Sequence, residues 1–199
     1  MSIADLPPPI FESPEPWRLS VEQYHAMAKQ GILADDDRVE LLEGLLLAKM
    51  TVSPAHHRAT HRVQDALRKR VPEGHYVASP SSVTLVTSEP EPDVIVVRGS
   101  NDDYADHHPG PADVVLVVEV SDTSLRSDQG FKKMIYAKSS LPVYWIVNLI
   151  ERRVEVYSDP TGPAERPDYR HHDDFSEAES VPLVIEGREV AQIPVKSVL

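Results

Sequence analysis

No cysteine occurs among the 199 residues. That excludes disulfides, thiolate zinc centres and thiol nucleophiles, and it fits a cytoplasmic protein. No run approaches the roughly 20 apolar residues that a membrane span needs, so no membrane partner is expected. The opening MSIADLPPPIFESPEPW has neither a basic start nor a long apolar stretch, and it does not read as a signal peptide. Aromatic residues make up only 6%, which counts against an aromatic-lined sugar cleft and a carboxylate-pair glycosidase. Basic residues are outnumbered, 20 to 32, for a net charge of -12. This counts against a protein that coats nucleic acid non-specifically. It leaves room for a metal-dependent nuclease, because bound cations offset local acidic charge.

What is present is enough apolar material for a core, 41% of the chain, at a length that suits one domain. Residues 1–17 carry five prolines and no periodic pattern, and they read as a flexible arm before a single domain over 18–199. Ser20 to Gln23 has the form of a capping box, predicting a helix to about Gln30. RVELLEGLLLAKM, 38–50, reads as a hairpin pivoting near Glu43-Gly44. Pro54 to Val71 has helical spacing and ends at Pro72. Strands are expected at 75–79, 82–87 and 93–98, then at VVLVVEV, 114–120. A helix over 127–139 separates that strand from VYWIVNL. Arg153 to Tyr157 alternates as a hairpin partner, 158–175 is polar and rich in Pro and Asp, and the tail reads as a hairpin around Gly187. The pattern is mixed α/β. Its strand-helix-strand unit over 113–149 implies a crossover and a parallel pair.

Three features of the middle carry chemistry. Asp93 opens the apolar strand DVIVV. Glu119 stands near the end of VVLVVEV, where alternation puts Val115, Val117, Glu119 and Ser121 on one face. On the next helix Asp128, Lys132 and Tyr136 are spaced i, i+4, i+8 along one face, with Lys133 turned away. Two carboxylates on neighbouring strands are hard ligands suited to Mg²⁺ or Mn²⁺. Such an ion stabilises a phosphodiester in transition, and a nearby lysine can orient or deprotonate the attacking water. His57 and His61 are four apart, but Arg58 stands where the glutamate of a zinc-protease helix would be. Tyr144 and Trp145 read as core aromatics. Asp128 alone also suits a first-turn acid favoured by the helix dipole.

The runs EPDVIVV and VVEVSDTSLRSDQGFKKMIYAKSSLPVYWIV, with the upstream RVELLEG and SPAHHRATHRVQDAL, resemble the Uma-type restriction endonuclease family of the PD-(D/E)XK, restriction-endonuclease-like superfamily. The resemblance covers about residues 18–160, and its specificity lies in the order and spacing of the motifs. It implies a mixed central β-sheet flanked by helices, with a divalent metal, Mg²⁺ or Mn²⁺, at the sheet's open edge. It implies endonucleolytic hydrolysis of nucleic acid, DNA above all. On the family pattern Asp93 is the PD aspartate and Glu119 the second acid; the backbone carbonyl of Val120 is a further candidate ligand beside them. The superfamily lysine position is Ser121 here, and Lys132 on the following helix takes the lysine's place. Glu40 matches the upstream glutamate, a candidate for a further ligand or a contact to a metal-bound water. His57 matches the family histidine, with His56 as an adjacent competitor, and Asp128 and Tyr136 are secondary candidates. A homodimer would offer two sites to the two strands of a duplex. The serine at 121 and the acidic charge also admit a non-catalytic binding or assembly module on the same fold.

Overall fold

The computed structural model describes residues 15–34 and 36–199, so most of the proline-rich arm lies outside the described residues. Helix α1, Val21–Lys29, starts where the capping box requires: Gln23 N–H donates to the Ser20 hydroxyl, and Ser20 N–H donates to the Gln23 side chain. Strands β1, Val39–Leu42, and β2, Leu45–Ala48, form the expected antiparallel hairpin. Glu43 and Gly44 at its turn have φ of 49° and 77°, as a two-residue turn of this twist demands. A side chain at Gly44 would also strike Arg18, whose Cβ would lie 2.7 Å away. Helix α2, Pro54–Arg68, has Ser53 as its N-cap and proline in its first turn, both helix-start signals.

The main sheet has six strands in the order β3 to β8: His75–Ala78, Val94–Arg98, Val114–Ser121, Val143–Asn148, Arg153–Pro160 and Tyr169–Ser176. Only β5 and β6 are parallel; the other neighbours are antiparallel. A sheet centre is buried on both faces only if something covers each. On one face α2 brings Ala59, Val63 and Leu67, and the terminal hairpin β9, Ser180–Ile185, with β10, Arg188–Pro194, brings Val181, Leu183 and Ile193. On the other, the crossover helix brings Ile135, Tyr136 and Ala137. Every residue of β5 is buried as a result.

Four details differ from the sequence pattern. Residues 82–87 are not a strand: the amides of Val83, Thr84 and Leu85 donate to Pro90, Pro109 and Ser88 carbonyls, so this backbone is satisfied by loops rather than by a ladder. Residues 169–176 do form a strand, although YRHHDDFS is polar, because as the outer strand it shows most of its residues to water. Val115 leaves the face of Glu119 for the α2 core, since the β4–β5 register shifts between Val96 and Val97 and an extra residue reverses the alternation. The crossover helix begins earlier, at Leu125. It is α-helical over Leu125–Ser127, π-helical over Asp128–Lys132 around Gly130, and α-helical again over Lys133–Lys138.

Candidate active site

Asp93 sits immediately before β4, and Glu119 lies next to it on β5, where Val94 pairs with Val118. Beyond that pair the side chain of Asp93 continues the ladder: its Oδ2 accepts the Val120 N–H at 2.8 Å. In an extended strand a residue's N–H and C=O project from one edge, so the Val120 carbonyl shares the edge that Asp93 occupies. The two acids therefore stand side by side where β4 begins and β5 ends.

The crossover helix supplies the rest. Lys132 Nζ donates to Glu119 Oε1 at 2.9 Å and lies 3.5 Å from Glu40 Oε1 on β1. The Tyr136 hydroxyl donates to the same Glu119 oxygen at 2.6 Å. Asp128 is buried, and its Oδ2 accepts both the Ser121 and the Ser124 hydroxyls at 2.6 Å. Ser121, two residues after Glu119 on the strand, thus anchors the crossover helix to β5. The π-helical turn makes this possible: Lys133 N–H bonds back to Asp128 C=O, one residue further than in an α-helix. The extra residue widens the turn, a distortion often found at functional sites.

Of the two histidines, the structure turns His56 and not His57 toward Asp93. His56 is buried and its Nε2 lies 3.2 Å from Asp93 Oδ2, whereas His57 is exposed at the pocket rim. Ser53 fixes this choice by capping α2 on the His56 N–H while its hydroxyl donates to Asp122 at 2.6 Å. Sequence reading passed over Ser53 and Asp122, although Ser53 before Pro54 is a helix-start signal. Glu43 faces away from the site and pairs with Lys138 and Thr87, leaving Glu40 as the glutamate of β1 that reaches it. Tyr144 and Trp145 are both core residues. Asp93, Glu119, Glu40, Lys132, Asp128 and His56 all line one pocket of about 350 Å³.

The electrostatics follow from burial. Loss of hydration pushes the Glu119 carboxyl up to about 8; Asp128 and Asp93 push the same way, while Lys132 and the Tyr136 hydroxyl pull it back. Burial raises Asp128 too, against Lys132 and its two serines. Burial alone would lower Lys132, but Glu119, Glu40 and Asp128 outweigh it and hold the ammonium charged. Lys132 keeps its proton even when Glu119 is neutral, since two other acids still face it, so Glu119 is the member of the pair that titrates. His56 is raised as well: its burial is outweighed by the hydrogen bond and charge of Asp93.

Does this pocket suit a divalent cation? Among the described residues Asp93 Oδ1 and Glu119 Oε2 accept no hydrogen bond, so each acid keeps a free lone-pair oxygen. A carboxyl whose proton is retained by burial is one that a cation would ionise. Mg²⁺ and Mn²⁺ keep most of their waters and need few protein oxygens, so two carboxylates and one carbonyl suffice. Among the described residues, three side-chain ligand atoms lie mutually within 4.8 Å only at Glu155, His172 and Asp174. That set fits a metal less well: Glu155 already accepts hydrogen bonds from Gln129, Asn148, Arg153 and Tyr157, and Arg153 pairs with Asp174.

Comparison with known proteins adds two findings. The family model described as "Uma2: Putative restriction endonuclease" matches residues 21–193. The fold is similar to the crystal structure of "a putative nuclease belonging to DUF820" from Anabaena variabilis ATCC 29413, with a TM-score of 0.66 and 14% identity over 90% of this chain and 97% of that one. No curated protein matches the sequence.

Proposed function

Since the chain belongs to the Uma2 family, described as "Putative restriction endonuclease", we propose that it is a divalent-metal-dependent endonuclease hydrolysing phosphodiester bonds of nucleic acid, with DNA as the substrate class. The observation that carries the proposal is the meeting of Glu119, Glu40 and Lys132 beside Asp93 in one pocket. A buried ammonium aimed at two acids, with a third alongside, is costly to assemble for stability alone.

In this reading Asp93, Glu119 and the Val120 carbonyl hold Mg²⁺ or Mn²⁺. The bound cation supplies Lewis acidity to the phosphate and lowers the pKa of water. The protein's own residues do the positioning. His56 and the Val120 N–H fix the Asp93 carboxylate through Oδ2, leaving Oδ1 free. Tyr136 fixes Glu119 in the same way. Lys132 orients the attacking water and offsets the charge that grows on the phosphate oxygens. Attack in line on phosphorus forms the new P–O bond as the opposite P–O bond breaks; the attacking water gives up a proton to solvent and the departing oxygen takes one from it. Glu40 keeps Lys132 aimed into the pocket from the β1 side.

The working form we propose is a cytoplasmic homodimer of one domain per chain, with two pockets for the two strands of a duplex; light scattering tests the stoichiometry. The activity test is incubation of purified protein with Mn²⁺ and supercoiled plasmid, single-stranded DNA or RNA. Nicking that is lost in Asp93→Ala and Glu119→Ala supports the reading. Absence of cleavage on all three substrates, with metal affinity unchanged in both variants, removes it and leaves a non-catalytic binding or assembly module on this fold.

A further inference from the structure

The chain's acidic excess is unevenly spread. Between Pro54 and Arg70 there are five arginines and lysines against one acid, Asp65, in a protein of net charge -12. These residues are α2 and its C-terminal end. The helix buries His56, Ala59, Val63, Ala66 and Leu67. The opposite side is exposed, and it carries His57, Arg58, His61, Arg62, Arg68 and Lys69. Arg62 donates to the Leu199 carbonyl. The other five side chains make no hydrogen bond or ion pair with any described residue, although acids elsewhere on the surface pair readily with Arg98, Arg152, Arg153 and Arg170. Spacing of 57, 61 and 68 puts three of them on one stripe.

This stripe joins two cavities. Its start, His57, lies on the rim of the Asp93–Glu119 pocket. Its end, Arg68, lines a second polar cavity of about 390 Å³ beside edge strand β3. Ser79 and Pro80 form a wall common to both. The second cavity has a row of rings: Tyr76 to Tyr104 at 5.9 Å between centroids and Tyr104 to His107 at 5.4 Å. Asn101 and the Tyr76 hydroxyl also face it without a hydrogen bond among the described residues. Unpaired Arg58, Arg68 and Lys69 beside two free imidazoles, ending at a row of tilted aromatic rings and free amide and hydroxyl groups, form a pattern suited to phosphates and then a base.

We propose that the exposed face of α2 is a track for the sugar-phosphate backbone of a nucleic-acid strand, and that the Tyr76–Tyr104–His107 cavity takes a nucleotide flanking the cleaved one. From His57 to Arg68 the helix rises about 16 Å at 1.5 Å per residue, which spans about five nucleotides at 3.4 Å per strand residue. The proposal rests on the endonuclease reading for the direction of the track, but its test does not.

The test is fluorescence anisotropy of a labelled 20-nucleotide thymidine oligomer and a labelled 20-base-pair duplex, with the full chain in EDTA over a salt series. Wild type binds at least one probe. The triple variant Arg58→Ala/Arg68→Ala/Lys69→Ala loses about thirtyfold in affinity, and its salt slope falls by about two, as removal of phosphate contacts requires. His107→Ala loses several-fold with an unchanged slope, because stacking carries no counterion term. Arg166→Ala, elsewhere on the surface, binds as wild type does. These are exposed positions, and a thermal melt checks that each variant is folded. If wild type binds neither probe, or the triple variant binds no worse than Arg166→Ala, the proposal is wrong. Binding that depends on α2 without cleavage of plasmid, single-stranded DNA or RNA in Mn²⁺ keeps the track and discards the endonuclease. Cleavage by a triple variant of unaltered affinity does the reverse.

Discussion

Lys132 Nζ lies 2.9 Å from Glu119 Oε1, joining the crossover helix to the strand that precedes it. The contact brings an ammonium from the crossover helix to the acid of β5. Ser121, two residues after that acid on the strand, points its hydroxyl at Asp128 instead.

Lys132→Met should lower cleavage by at least about a hundredfold, the usual cost of removing one donor aimed at developing charge. It should also destabilise the metal-free protein by about 3 kcal/mol, because Glu119 and Glu40 remain buried without their partner. Single-turnover cleavage and urea denaturation measure the two effects. Lys132→Arg should not restore activity, since a planar fork cannot replace a compact ammonium in this pocket.

Metal affinity should depend on pH through Glu119. Its carboxyl is pushed up to about 8 by burial, and a cation must displace its proton. Below that value Mn²⁺ affinity should climb about tenfold per pH unit, and above it the affinity should level off. Calorimetric titration between pH 6 and 9 reads this directly; a plateau already reached near pH 6 would mean an ordinary carboxylate. For folding without metal the sign is the opposite. A carboxyl raised in the folded state gives its full stability below the unfolded value of 4.5, and that stability is lost as pH rises toward 8.

The two adjacent histidines should separate cleanly. His56→Ala removes the partner of Asp93 Oδ2 and should cost about 10- to 100-fold in metal affinity or cleavage, the usual effect of losing a group that orients a ligand. His57→Ala should change the cleavage step itself by less than about threefold, since its ring makes no contact with either acid; saturating-substrate kinetics on both variants decide this.

Ser121→Ala should cost about 1–2 kcal/mol of stability, as Asp128 loses one of two hydroxyl donors in a buried site. Cleavage should survive, because Lys132 and not Ser121 meets Glu119. A thermal melt and a nicking assay on the same preparation provide the comparison.

Much of this arrangement was legible in the residues, and the reasons are physical. β5 announces itself by the apolar run Val114–Val118, which suits a doubly covered strand, and the crossover to a parallel β6 follows from the helix between them. Glu119 and Lys132 could be placed near one another from that unit alone, and Asp93 from its place at the head of the preceding apolar strand. The choice of His56 over His57 could not, because one residue turns a helix by about 100° and the start at Ser53 decides which ring faces in. Strand β8 was hidden by its polarity, since an outer strand need not alternate. The bulge that moves Val115 and the π-helical turn around Gly130 each insert one residue, and periodicity counted along a chain has no means of seeing an insertion. The Gln129–Glu155–Asn148 network under the π-helical turn joins residues from three elements, and no local spacing predicts it.

The account stands most directly on where a cation binds. Crystals soaked in Mn²⁺ and measured at the manganese edge should give an anomalous peak within about 2.0–2.3 Å of one carboxylate oxygen each from Asp93 and Glu119, with the Lys132 ammonium turned toward the pocket. A peak only at Glu155, His172 and Asp174, or Asp93 and Glu119 turned apart with no ion between them, would contradict it.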